Sequence, residues 1–179
     1  MSDLKNIVLV VDTRNIMACL GMTFGNGKLN YQKYIQDAVG EDMMYSGIAY
    51  GCTQNGNESR FIASLKHMGL DTKFKSPLTK TDPSTKEPVT RWVNWNVGMT
   101  LDVLRLAATD KVDKVIIGSS DPELVELVEH LKTLNIKVEV FACGIPKVLK
   151  SAASGYREIT KEYLFEAPVK TVESSTDVV

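Results

Sequence analysis

The chain has 179 residues, 44% of them hydrophobic and 24% charged, and a formal net charge of −1. That length suits one domain whose core needs no covalent staple. The balanced charge excludes a protein held to nucleic acid by bulk electrostatics alone and leaves only a local basic groove. Cys19, Cys52 and Cys143 are odd in number and far apart, which argues for reduced thiols rather than a disulfide framework or a zinc site. No apolar run is long enough for a membrane span or a signal peptide, so a soluble, cytoplasmic protein is expected.

Taken in chain order, Ile7–Val11 reads as a fully buried strand that stops at Asp12, with Arg14 and Asn15 close behind. Residues 31–39 read as a helix, with Tyr31, Tyr34, Ile35 and Ala38 on one face. Met43–Tyr50 is a second strand. Phe61, Ile62, Leu65 and Met68 mark a helix closed by Gly69. Asp71–Phe74 is a short third strand. Residues 76–90, "SPLTKTDPSTKEPVT", form a loop longer than a connection requires, and loops of that size are usually functional or mobile.

The stretch "WNVGMTLDVLRLAATD" reads as a well-buried helix. Its apolar face holds Val97, Leu101, Leu104 and Ala108, and its polar stripe holds Gly98, Asp102, Arg105 and Thr109. Val115–Ile117 is a further buried strand, followed by a helix carrying Leu124, Leu127, Val128 and Leu131. Val138–Ala142 is the next strand, and Pro146 opens a short helix. "KEYLFEAP" suits either a packed final turn or a partner contact. The domain is expected to span residues 1–167, with 168–179 a disordered tail.

Strands alternating with helices imply βαβ units with right-handed crossovers. The expected fold is α/β: a doubly wound three-layer sandwich with a mainly parallel sheet of about five strands in the order 3-2-1-4-5. Ligands of such sheets sit beyond the strand carboxyl ends, where strand order reverses. Asp12 ends the first strand there, and "GSSDPEL" places Asp121 and Glu123 just past the tip of Val115–Ile117. Each acid also has a plainer reading. Asp121 before Pro122 is an ordinary helix start, Asp12 can cap a turn through Asn15, and Asp102 can pair with Arg105 on a solvated strip. Carboxylates crowded at one crevice repel without a cation between them, which points to a hard, oxygen-liking metal such as magnesium or manganese.

Three segments in this order resemble the NYN domain, a branch of the PIN-like ribonucleases that includes the LabA-like proteins. They are Asp12-x-x-Asn15 after the first strand, "VNWNVGMTLD" leading into the central helix, and "SSDPELVEL" from Ser119 to Leu127. The resemblance covers roughly residues 5–160. It implies an acidic cluster that binds Mg2+ or Mn2+ and activates water against an RNA phosphodiester. Asp12, Asp121, Asp102 and Glu123 would be the metal ligands, with Asp12, Asp102, Asp121 and position 96 carrying catalysis. Asn15, Ser119 and Ser120 would orient them from behind. The chain departs from the family at position 96, where Asn96 stands for an acid, at Val93, which replaces a lysine, and at Ser120, which replaces a glycine. A weakened metal site follows from Asn96.

Two functions compete on these grounds. One is a metal-dependent ribonuclease acting on single-stranded RNA, with Arg14, Lys73, Lys75, Lys80, Lys86 and Arg91 on phosphates and Trp92 or Trp95 stacked on a base. The other is a catalytically silent module that binds RNA or protein, alone or as a homodimer. The competing reading of the loop, a solvated segment with its tryptophans in the core, stands level with RNA contact because Asp71, Asp82 and Glu87 cancel much of its charge. A dinucleotide binder fits worse, since "DTRN" puts an acid where a pyrophosphate needs backbone amides. His67 and His130 read as surface residues.

Overall fold

The computed structural model describes residues 4–25, 27–53 and 58–165; the expected tail from 168 lies outside them. Six strands make the main sheet: β1 (Asn6–Asp12), β2 (Met43–Cys52), β3 (Asp71–Lys75), β6 (Lys114–Gly118), β7 (Lys137–Ala142) and β8 (Gly155–Glu158). Their order is β3-β2-β1-β6-β7-β8, and every pair is parallel. Setting aside the sixth strand, this is the expected 3-2-1-4-5 order, with the reversal between β1 and β6. The helices are α1 (Thr13–Phe24), α2 (Tyr31–Val39), α3 (Ser59–His67), α4 (Asn96–Ala107), α5 (Val125–Thr133) and α6 (Lys147–Ala152). Among the described residues no helix is long and apolar enough to cross a membrane.

β1 is central because nothing on it needs water. Ile7, Val8, Leu9, Val10 and Val11 are all fully buried. Val8 and Val10 join a core with Val103, Ile117, Val128 and Val140, while Ile7, Leu9 and Val11 join a second core with Leu20, Tyr34 and Phe141. Alternate side chains thus feed the two helix layers, as a strand buried on both faces requires.

Four features depart from the sequence reading. The sixth strand, β8, is short and polar, "GYRE", and carries no hydrophobic pattern. Side-chain charge helps to anchor it, through Arg157 to Glu139 on β7, which also meets Lys114. Residues 76–90 are mostly a hairpin rather than a loop. β4 (Leu78–Thr81) and β5 (Pro88–Arg91) pair antiparallel, apart from the main sheet and exposed throughout. The polar residues of its turn form it: Asp82 accepts from the backbone of Ser84 and Thr85. The face of α4 is rotated. Val97, Leu101 and Ala108, expected inside, are exposed, while Asn96, Met99, Asp102, Val103 and Ala107 are buried. Finally, α1 begins directly after Asp12, where the sequence suggested at most a capped turn through Asn15. Residues 161–164 close the fold as a packed turn, with Tyr163 buried and Leu164 bridged to Leu29. His67 and His130 are exposed, as expected.

The switch point is tight. A Cβ on Gly118, at the end of β6, would lie 2.6 Å from the Tyr34 hydroxyl and 3.2 Å from the Val10 carbonyl oxygen. The Tyr34 hydroxyl is held in place, donating to the Phe141 carbonyl at 2.8 Å. Gly118→Ala is therefore expected to destabilise the chain by about 1–3 kcal/mol, the cost of overpacking a full core. Urea unfolding measures it.

Candidate functional site

The carboxyl ends of β1 and β6 lie side by side, with Val11 opposite Gly118. Asp12 leaves β1 in extended conformation and caps α1: its Oδ1 accepts from the Arg14 and Asn15 amides at 3.1 and 3.0 Å. This is an ordinary N-cap, yet it uses one carboxylate oxygen only. Asn15 then ties α1 to the β6 loop, its Oδ1 accepting from both the amide and the hydroxyl of Ser120, at 2.9 and 3.0 Å. Ser119 is fully buried, and its Oγ receives the Asp121 amide. Asp121 in turn caps the 3-10 turn Pro122–Leu124 through Oδ1, which accepts from the Glu123 amide at 3.0 Å.

Asp12 and Asp121 line one depression of about 390 Å3, together with Arg14, Asn15, Cys19, Trp92 and Ser120. Burial raises the Asp12 carboxyl above its ordinary range. The two backbone bonds and the Arg14 charge oppose that rise, and the Asp121 charge adds to it. Asn96 stands at the other side of Asp121. Its Nδ2 donates to Asp121 Oδ2 at 3.0 Å and to Glu123 Oε2 at 2.8 Å, so one neutral amide bridges two carboxylates. Glu123 itself is exposed.

Asp102 does not complete this group. Its oxygens accept from Lys73 Nζ, both at 2.7 Å, and from the Tyr50 hydroxyl at 2.9 Å, with Arg105 3.8 Å away. The cause is the rotation of α4, which turns Asp102 inward over β2 and β3. Burial alone would raise its carboxyl, but the Lys73 and Tyr50 bonds outweigh that and hold it below the usual range. Among the described residues no three or more acidic, histidine or cysteine side chains are placed to hold a metal ion. The expected convergence of Asp12, Asp102 and Asp121 is therefore reduced to Asp12 and Asp121, and Glu123 is joined to Asp121 through Asn96.

The cationic and aromatic residues also separate. Trp95 is core: it is 6% exposed, donates Nε1 to the Gly51 carbonyl at 2.8 Å, and packs on Tyr50, with Lys75 over its ring. It offers no face to a base. Trp92 is 39% exposed at the cleft, with the Arg14 guanidinium 4.4 Å from its ring. Lys80 and Arg91 sit on the hairpin strands, and Lys86 in its turn at φ +60°. Lys73 is engaged by Asp102. The Asn96 bridge and the Lys73–Asp102 pair had no signal in the sequence, because each joins residues on different elements.

The NYN domain family matches residues 6–160. A solved structure of a protein of unknown function from Vibrio parahaemolyticus is 26% identical, with a TM-score of 0.77 over 92% of this chain and 99% of that one. No curated protein matches.

Two outcomes test this geometry. Removing Lys73 leaves the nearly buried Asp102 charge with Tyr50 and the more distant Arg105, so Lys73→Met is expected to lose about 1–2 kcal/mol at neutral pH. Because the folded Asp102 carboxyl is held low, that contribution exists above its ordinary range and fades as pH falls through the depressed one. The variant and parent should converge in acid urea titrations. Asp12 has the opposite sign. Its folded carboxyl is raised, so its ionisation lowers stability as pH climbs from the ordinary to the raised value. Asp12→Asn keeps a capping oxygen and removes the charge, and should raise the melting temperature of the metal-free protein at neutral pH.

Proposed function

Because the chain belongs to the NYN domain family, a branch of the PIN-like nuclease fold, we propose that it is a ribonuclease that cleaves single-stranded RNA with one divalent cation held by Asp12 and Asp121. The observation that carries this reading is the Asp12–Asp121 pair. Two carboxylates share one depression, where burial and then the Asp121 charge raise the Asp12 carboxyl against the backbone bonds and the Arg14 charge. Nucleases of this class generally use divalent metals, and NYN domains generally bind RNA.

The donor set fits Mg2+ or Mn2+. It consists of oxygens only, and Mg2+ is commonly bound by one or two carboxylates with water and substrate phosphate completing its shell. Asp12 can give Oδ2 while Oδ1 remains on the helix cap. Asp121 is held by the Ser119 and Asn15–Ser120 contacts that fix its loop. A half-turn of the Asn96 amide exchanges its donor for Oδ1, a neutral third ligand, which makes the site weaker than one with an acid there. When bound, the ion polarises the phosphoryl oxygens and lowers the pKa of a water at the site. The protein positions the strand: Arg14 faces phosphate, Trp92 offers a ring to a base, and the Lys80, Lys86 and Arg91 hairpin flanks the backbone. Asp102 takes a supporting part, keeping Lys73 in place.

A second reading, a silent RNA-binding module, is favoured by the Asn96 bridge, which already occupies one oxygen each of Asp121 and Glu123. Cleavage of a labelled single-stranded RNA with Mn2+ separates the two. Asn15→Ala should lose roughly 10–100-fold, as outer-shell partners do, and Asp12→Asn more than that. Asn96→Asp should lose two hydrogen bonds and unfold at lower temperature without metal, but gain a larger Mn2+-dependent rise in melting temperature and faster cleavage. RNA bound but cut by neither parent nor Asn96→Asp would leave the silent module.

A further inference from the structure

Two cysteines 124 residues apart meet in the wall of this cleft. Cys19, on α1, donates its thiol to the Cys143 carbonyl oxygen at 2.9 Å. The Cys143 thiol, at the end of β7, donates to Thr23 Oγ1 at 3.5 Å, and the same hydroxyl lies 4.0 Å from Cys19 Sγ. Both thiols thus converge on one hydroxyl, that of Thr23, while the Cys19 thiol also touches the backbone of Cys143. Gly144 permits the approach: it sits at φ +65°, and a Cβ there would lie 2.8 Å from Cys19 Sγ. The exposures differ. Cys19 is half-buried and lines the cleft beside Asp12, whereas Cys143 is 2% exposed. Burial pushes the Cys143 thiol up to about 11, with Thr23 partly opposing and Cys19 adding to the rise.

We propose that Cys19 and Cys143 are a peroxide-reactive dithiol that closes to an intramolecular disulfide. The cleft admits a small hydroperoxide to Cys19. The Cys19 thiolate attacks one peroxide oxygen, the O–O bond breaks, and the product is Cys19 sulfenic acid plus water. The Cys143 sulfur then attacks Cys19 Sγ, the S–O bond breaks, and the hydroxyl leaves as water with the Cys143 proton. The two thiols lose two hydrogens, and hydrogen peroxide is reduced to two waters. The order follows from exposure: the open thiol meets the oxidant and the buried one resolves it. The bond joins α1 to the β7–α6 turn, two walls of the cleft, and closes a long loop of chain, which lowers the entropy of the unfolded state.

The test needs neither RNA nor metal. The full chain, reduced and then exposed to hydrogen peroxide under native conditions, is alkylated and followed by intact mass, non-reducing peptide mapping and thermal melting. The expected result is a loss of two hydrogens, a Cys19–Cys143 cross-linked peptide, a higher melting temperature and full reversal by dithiothreitol. Cys52→Ser should behave like the parent, and Cys19→Ser should form no cross-link. Cys143→Ser removes a buried group, so Cys19→Ser carries the comparison if that variant fails to fold. Cys19 oxidised to sulfinic acid with Cys143 still free, a bond involving Cys52, or a cross-link only between chains would overturn the proposal.

Discussion

The fold and its site both depend on one constraint: β1 is buried on both faces and hydrogen-bonded on both edges. With β2 on one side and β6 on the other, both parallel, its carboxyl end must emerge beside theirs. Asp12 is the first residue of the strand with a charge, and it leaves the core where the chain turns into α1. The same pairing brings Gly118 against Val10 and Val11 and hands the next loop to Asn15. A strand held less completely would leave the relative placement of Asp12 and Asp121 to their loops.

The carboxylates of the cleft region meet two different fates. Asp102 is nearly buried and fully satisfied, with a lysine, a tyrosine and an arginine around it, so it behaves as a structural ion pair. Asp12 is satisfied only by backbone amides and faces another acid. Such a group lowers stability in the absence of a cation, a pattern associated with sites built to bind rather than to support the fold. Asn96 lies between these extremes: its amide relieves the repulsion of Asp121 and Glu123 without removing their charge.

Trp92, directly after the hairpin of β4 and β5, extends the wall of the cleft beyond the sheet. Both belong to the segment joining β3 to α4, the crossover that leads from one half of the sheet towards the other. A doubly wound fold leaves that connection free to lengthen, because it crosses above the strand ends rather than through a core. Arg14 links it to α1 by stacking on Trp92, so the hairpin base is tied to the same turn that Asp12 caps.

Much of this was legible in the sequence, because burial on two faces writes itself as an unbroken apolar run and helices show their period. The strand order around β1, the switch point and the pairing of Asp12 with Asp121 followed from that pattern and from chain connectivity. Edge strand β8 and the hairpin did not, since partly or wholly exposed strands need no hydrophobic run and are held by charge pairs and turn chemistry. The face of α4 was misjudged for a related reason. Its residues are apolar nearly all round, so periodicity could not choose which side meets the sheet. The tertiary structure chose, by giving Asp102 a partner in Lys73 and leaving Val97 and Leu101 outside. Pairing between residues on separate elements, such as Asn96 with Asp121 or Cys19 with Cys143, is a property of packing, and only the packed chain contains it.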